Sequence, residues 1–73
     1  MITELVKTRI IALCKERGIT INKLAKLSGM TQSTLNSVIN DKTSNPSITT
    51  LKRLCNGLNI SIKEFFNDDI FNE

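Results

Sequence analysis

The sequence predicts an all-α fold, a compact bundle of five short helices. Three observations carry this. Apolar residues recur at steps of three and four, and no segment alternates like a strand. Each periodic stretch stops at Gly or Asn, and the next starts behind Thr or Ser. Connections of about two to six residues suit closely packed helices. The 73 residues have room for one domain. Its core is expected over about 5–66, with 67–73 a short acidic and apolar tail.

The first helix carries Ile2, Leu5, Val6, Ile10, Leu13 and Cys14 as one stripe. Gly18 ends it, with Lys15 and Arg17 placed to complement the helix dipole. Thr20 caps a second helix, which carries Leu24, Ala25 and Leu27 and stops at Gly29. Thr31 caps a third, with Leu35, Val38 and Ile39 turned inward. Asn40–Asn45 has no apolar residue and Pro46 follows, so this stretch reads as a loop. Ser47 caps a fourth helix with Ile48, Leu51, Leu54, Cys55 and Leu58 on one face, and Asn59 suits a left-handed stop. Ser61 and Glu64 form a capping box for a fifth helix through Phe65 and Phe66.

Composition narrows the function. Apolar residues make up 40% of the chain and charged ones 23%, ordinary for a folded globule. Histidine is absent, which removes the usual neutral-pH proton shuttle and the commonest metal ligand. Cys14 and Cys55 lie far apart with no CxxC, so neither a zinc site nor a secreted disulfide scaffold is expected. They read as buried small hydrophobes in a reducing compartment, and the expected location is cytoplasmic. No apolar run suggests a signal peptide or membrane span. No general base, nucleophile pair or cofactor motif emerges, so neither an enzyme nor a cofactor is expected. The net charge of +3 divides into +7 over residues 1–63 and −4 over 64–73. A basic body with an acidic end suits a polyanion partner, and also a plain solvated surface.

The most informative segment is Thr20–Asn40, TINKLAKLSGMTQSTLNSVIN. Ala25 is small where the following helix crosses, Gly29 suits a tight left-handed turn, and Leu35 and Val38 fix the second helix on the first. With its flanks this segment resembles the lambda-repressor-like, Cro-type helix-turn-helix family, also called the xenobiotic-response-element family. The resemblance covers about residues 5–66. It rests on Ile10-x-x-Leu13, Arg17-Gly18-Ile19-Thr20, Leu24-Ala25, Ser28-Gly29-Met30-Thr31 and Ser33-Thr34-Leu35. It continues through Asn45-Pro46-Ser47, Leu51-x-x-Leu54 and Leu58-Asn59-Ile60-Ser61.

The resemblance implies a transcriptional regulator, a repressor, binding double-stranded DNA sequence-specifically as a homodimer. The helix over 32–39 would enter the major groove, and the one over 21–28 would cross the backbone. Gln32, Ser33 and Ser37 would face base edges, with Asn36 a weaker candidate. The alternative is that these exposed polar side chains are merely solvated. Gln32 suits the major-groove edge of adenine. Phosphates would be met by helix starts at Thr20, Ile21 and Thr31 and by Asn40, Lys42, Thr43, Ser44 and Asn45. Lys23, Lys26 and Arg17 would add diffuse attraction. No charged side chain lies from Leu27 to Asn40. That favours selectivity and predicts modest affinity for a monomer. The acidic tail is expected to point away from the DNA.

Two positions depart from the family. Many relatives carry glutamine where Ile21 stands; Ile21 either meets a thymine methyl or sugar, or is a hydrophobic cover. Relatives often pair an arginine at Cys14 with a glutamate at Ile39. Replacing both members by hydrophobes is tolerable where losing one is not, so Cys14 and Ile39 are expected within ~4.5 Å. Phe66, Ile70 and Phe71 either form a dimer interface or cap the domain's own core. No sensor domain is evident, so no small-molecule effector is expected, and no membrane partner either. The competing reading is a protein-interaction module of the same fold, antitoxin-like or regulator-binding, engaging a protein partner through the acidic tail.

Overall fold

The computed structural model describes residues 2–40 and 46–72. Helices α1 (Ile2–Arg17), α2 (Ile21–Leu27), α3 (Gln32–Asn40), α4 (Ile48–Leu58) and α5 (Ile62–Phe66) follow in order. One 3-10 turn, Asp69–Phe71, comes after them. Every regular element among the described residues is helical, as the periodicity predicts. None of these helices is long and apolar enough to cross a membrane.

The same seven-residue joint builds three of the four helix connections. At α1–α2 the Ile19 N–H donates to the Cys14 carbonyl (3.0 Å) and the Gly18 N–H to the Lys15 carbonyl (3.1 Å). At α2–α3 Met30 donates to Ala25 (3.0 Å) and Gly29 to Lys26 (3.3 Å). At α4–α5 Ile60 donates to Cys55 (2.9 Å) and Asn59 to Asn56 (3.1 Å). This is the Schellman pairing, which satisfies the last carbonyls of a helix and needs a left-handed residue. Gly18, Gly29 and Asn59 supply it, with φ of 65°, 70° and 59°. The next residue, Ile19, Met30 or Ile60, packs against the core. One residue further, Thr20, Thr31 or Ser61 caps the following helix, accepting from the N–H of Lys23 (3.0 Å), Thr34 (3.1 Å) or Glu64 (3.0 Å). The Glu64 carboxylate returns the bond to the Ser61 N–H, completing the expected capping box. Ser47 caps α4 in the same way, through the Thr50 N–H (3.1 Å).

These joints turn the apolar faces toward one another. The core consists of Val6, Ile10, Leu13 and Cys14 of α1, Leu24 and Ala25 of α2, and Leu35 and Val38 of α3. Leu51, Leu54, Cys55 and Leu58 of α4 and Phe65 of α5 complete it. Each large side chain in it contributes about 1.5–3 kcal/mol on full burial, offset by the entropy of ordering the chain. Cys14 belongs to this cluster and Ile39 packs on it from the half-buried rim.

Three stripe residues lie elsewhere than their spacing suggests. Leu27 is 49% exposed, Ile48 70% and Ile2 59%, each at a helix end: Leu27 closes α2, while Ile2 and Ile48 open α1 and α4. The end of α2 instead buries Ser28, whose hydroxyl lies against Gly57 of α4 and has no hydrogen-bond partner. A methyl group at Gly57 would overlap that hydroxyl, so glycine sets the closeness of α2 and α4.

Arg9 ties the end of the chain to its beginning. Its guanidinium donates to the carbonyls of Phe65 (2.8 Å) and Glu64 (3.1 Å), and to the Asp68 carboxylate (3.1 Å). Beside it the rings of Phe65, Phe66 and Phe71 form a cluster with centroid distances of 4.9–6.4 Å. The 3-10 turn thereby packs on α1.

Candidate nucleic-acid interface

The joint at Gly29 decides how α3 is presented. Its inward side is fixed by Leu35 and Val38, both buried. Four of the polar side chains that alternate with them, Gln32, Ser33, Asn36 and Ser37, are all exposed, and so is Asn40 at the end of the helix. The candidate base-reading residues therefore share one solvent-facing surface of a helix held at its start by a hydroxyl cap and on its back by the core. Within that surface there are amide and hydroxyl groups and no ionised side chain. Such a face offers hydrogen bonds in fixed directions without an unspecific pull on phosphates.

The helix starts flank it. Thr20 and Thr31 are exposed at the beginnings of α2 and α3, and each hydroxyl is committed to its own cap. The Thr31 hydroxyl also lies 2.8 Å from that of Thr34. What these two positions offer a phosphate is the first-turn backbone N–H groups and the positive end of the dipole. Ile21 is half-buried and packs against the core. Lys42, Thr43, Ser44 and Asn45 lie outside the described residues. Lys23 and Lys26 of α2 and Arg17 at the end of α1 are exposed cations.

The tail packs on α1 through its 3-10 turn. Phe66 and Phe71 are half-buried and pack against the core, while Ile70 is half-buried without joining that cluster. Arg9 is the residue that sequence reasoning overlooked. It positions α5 and the acidic tail, and its partners are 55–59 residues away along the chain. An arginine within an otherwise amphipathic first helix gives no local signal of such a role.

Both thiols are sealed in the core. Burial pushes Cys14 and Cys55 above the ordinary value of 9.0, and the nearby cations Arg17 and Lys52 pull the other way without cancelling it. They stay protonated at neutral pH and take no part in the exposed face.

A helix held at its N-terminus by a tight left-handed joint, crossing a shorter helix and presenting a polar outer face, defines the helix-turn-helix class. A helix-turn-helix family model matches residues 10–65, and the chain belongs to the Cro/C1-type helix-turn-helix family of DNA-binding transcription regulators. Over 60 residues it is 33% identical to the HTH-type transcriptional regulator PuuR of Escherichia coli (strain K12), and equally to that of Shigella flexneri. Those matches take in 82% of this chain and 32% of each regulator, so the chain spans about a third of the length of these curated relatives. Among solved structures it is similar to the prophage Lp1 protein 11, with 34% identity and a TM-score of 0.86. That likeness covers 100% of this chain and 96% of the other.

Proposed function

We propose that this chain is a transcription regulator that binds double-stranded DNA sequence-specifically, acting as a repressor and as a homodimer. The carrying observation is the exposed, uncharged polar face of α3, fixed on its back by Leu35 and Val38 within a helix-turn-helix scaffold. In this reading α3 enters the major groove, with Gln32, Ser33, Asn36 and Ser37 toward the bases. The starts of α2 and α3, with Asn40 and the 42–45 loop, meet phosphates. The domain works as a single unit over 1–73.

Dimerisation follows from the small reading surface: one module makes few base contacts, and a two-fold pair doubles them on a pseudo-palindromic site. Ile70 is the best probe of the interface, because it is half-buried yet lies outside the core cluster. Ile70→Asp is expected to shift sedimentation toward monomer while the helical content stays unchanged. A dimer that survives the change would place the interface elsewhere. The protein-interaction reading draws on the acidic tail, but Asp68 is already paired with Arg9.

The test is fluorescence anisotropy with random and selected duplexes across a salt series. Random duplex should bind weakly, with a shallow salt slope set by a few phosphate contacts at about −0.9 per neutralised phosphate. Lys23→Ala or Lys26→Ala should weaken all duplexes alike and reduce the slope by about 1 at most. A folded protein that binds no duplex at low salt would overturn the proposal.

A further inference from the structure

Gln32 and Asn36 are both exposed, four residues apart on α3. Four residues advance about 6 Å along a helix and return to within about 40° of the same direction, so the two amides stand one above the other. The back of the helix is fixed by Leu35 and Val38. By helix geometry Asn36 lies about 130° and Gln32 about 90° from the middle of that side, and the extra methylene of Gln32 restores reach. A side-chain amide donates from its nitrogen and accepts at its oxygen, a bidentate match to the N6 donor and N7 acceptor of adenine that a single hydroxyl does not offer. Guanine presents two acceptors there, which call for arginine or lysine, and cytosine a donor, which calls for a carboxylate. The span from Leu27 to Asn40 has none of these.

We infer that the half-site read by α3 contains two A·T pairs, each with its adenine taken by one amide: one by Gln32 and one by Asn36. An axial offset of about 6 Å against about 3.4 Å per base pair puts the adenines within about two steps of each other. Ser33 and Ser37, at the same spacing and with shorter side chains, permit the close approach this needs. The inference rests on the proposed DNA-binding function and adds to it a second adenine, taken by Asn36, and the spacing of the two A·T pairs.

The experiment is selection from random duplex by the full chain, repeated with Asn36→Ala, Gln32→Ala and Gln32→Arg. Each change falls on the exposed face of a helix, and alanine is the better helix former, so the fold should persist; circular dichroism checks this. The expected wild-type motif has A·T at two positions within about two steps. Asn36→Ala should relax one of them and Gln32→Ala the other, each by about 5- to 100-fold in relative binding of A·T over G·C. Gln32→Arg should exchange A·T for G·C at the Gln32 position. A motif with G·C at these positions, or one that Asn36→Ala leaves intact, overturns the inference while DNA binding stands. No enrichment by the folded wild type overturns both.

Discussion

Gly57 lies where the end of α2 meets α4, and a methyl group there would come within 3.1 Å of the Ser28 nitrogen and 3.2 Å of the Leu27 carbonyl carbon. Alanine in a helix interior gains about 1 kcal/mol over glycine, and Gly57, next to last in α4, would gain at most that. Backbone atoms cannot swing aside, so overpacking of about 1–3 kcal/mol outweighs that gain. Gly57→Ala should therefore lower the midpoint of thermal unfolding. Adding Ser28→Ala should recover part of the loss, because it removes the nearest obstructing atom. Ser28→Ala alone should be neutral or stabilising by up to about 1 kcal/mol, since it deletes a buried hydroxyl that has no partner. The two thiols give a second test at this scale. Their raised pKa means that the folded state holds these protons more tightly than the unfolded chain. Stability is then unaffected below about pH 9 and falls as pH rises beyond the unfolded value. Native protein should react slowly with a thiol reagent at pH 8 and both cysteines rapidly in denaturant; fast native reaction would contradict the sealed core.

At the scale of elements, the repeated joint explains why so much was legible. A left-handed stop, an apolar plug and a hydroxyl cap follow one another within three residues, so one short string ends a helix, anchors the turn and begins the next. Thr31→Ala should cost about 1 kcal/mol through loss of the α3 cap. Gly29→Ala should cost about 1–2 kcal/mol through its positive φ, with open space around the added methyl group. Urea unfolding of both variants measures this. Caps, stops and most core positions are local properties and can be read from spacing. The exposure of Leu27 and Ile48 could not be read that way, because periodicity gives the direction of a side chain but not the extent of the neighbour that covers it. Nor could the burial of Ser28, which depends on a glycine in another helix. The candidate face of α3 was legible as a set of polar positions; its partners in the 42–45 loop lie outside the described residues.

At the scale of the whole molecule, the exposed face of α3 is uncharged, exposed cations lie on α2, α4 and α5 and at the end of α1, and the acidic tail is bound to α1 through Arg9. The Arg9–Asp68 pair itself is partly exposed, with side chains 13% and 34% accessible, and contributes little alone. The two carbonyls matter more. Arg9→Met removes the donors to Phe65 and Glu64 and should cost about 1–3 kcal/mol, with faster amide exchange confined to residues 65–72. Protection unchanged in that segment would show that the aromatic cluster alone holds the tail.

The Arg9 contact also has a place in time. It joins residues up to 59 positions apart, so it closes a loop nearly as long as the chain, whereas the three joints close loops of a few residues. Folding should then begin at the joints and finish at this clasp. Arg9→Met should speed unfolding and leave the refolding rate almost untouched, the signature of a contact absent from the transition state. The ends of the chain would be the first part to open, while the helix-turn-helix stays assembled.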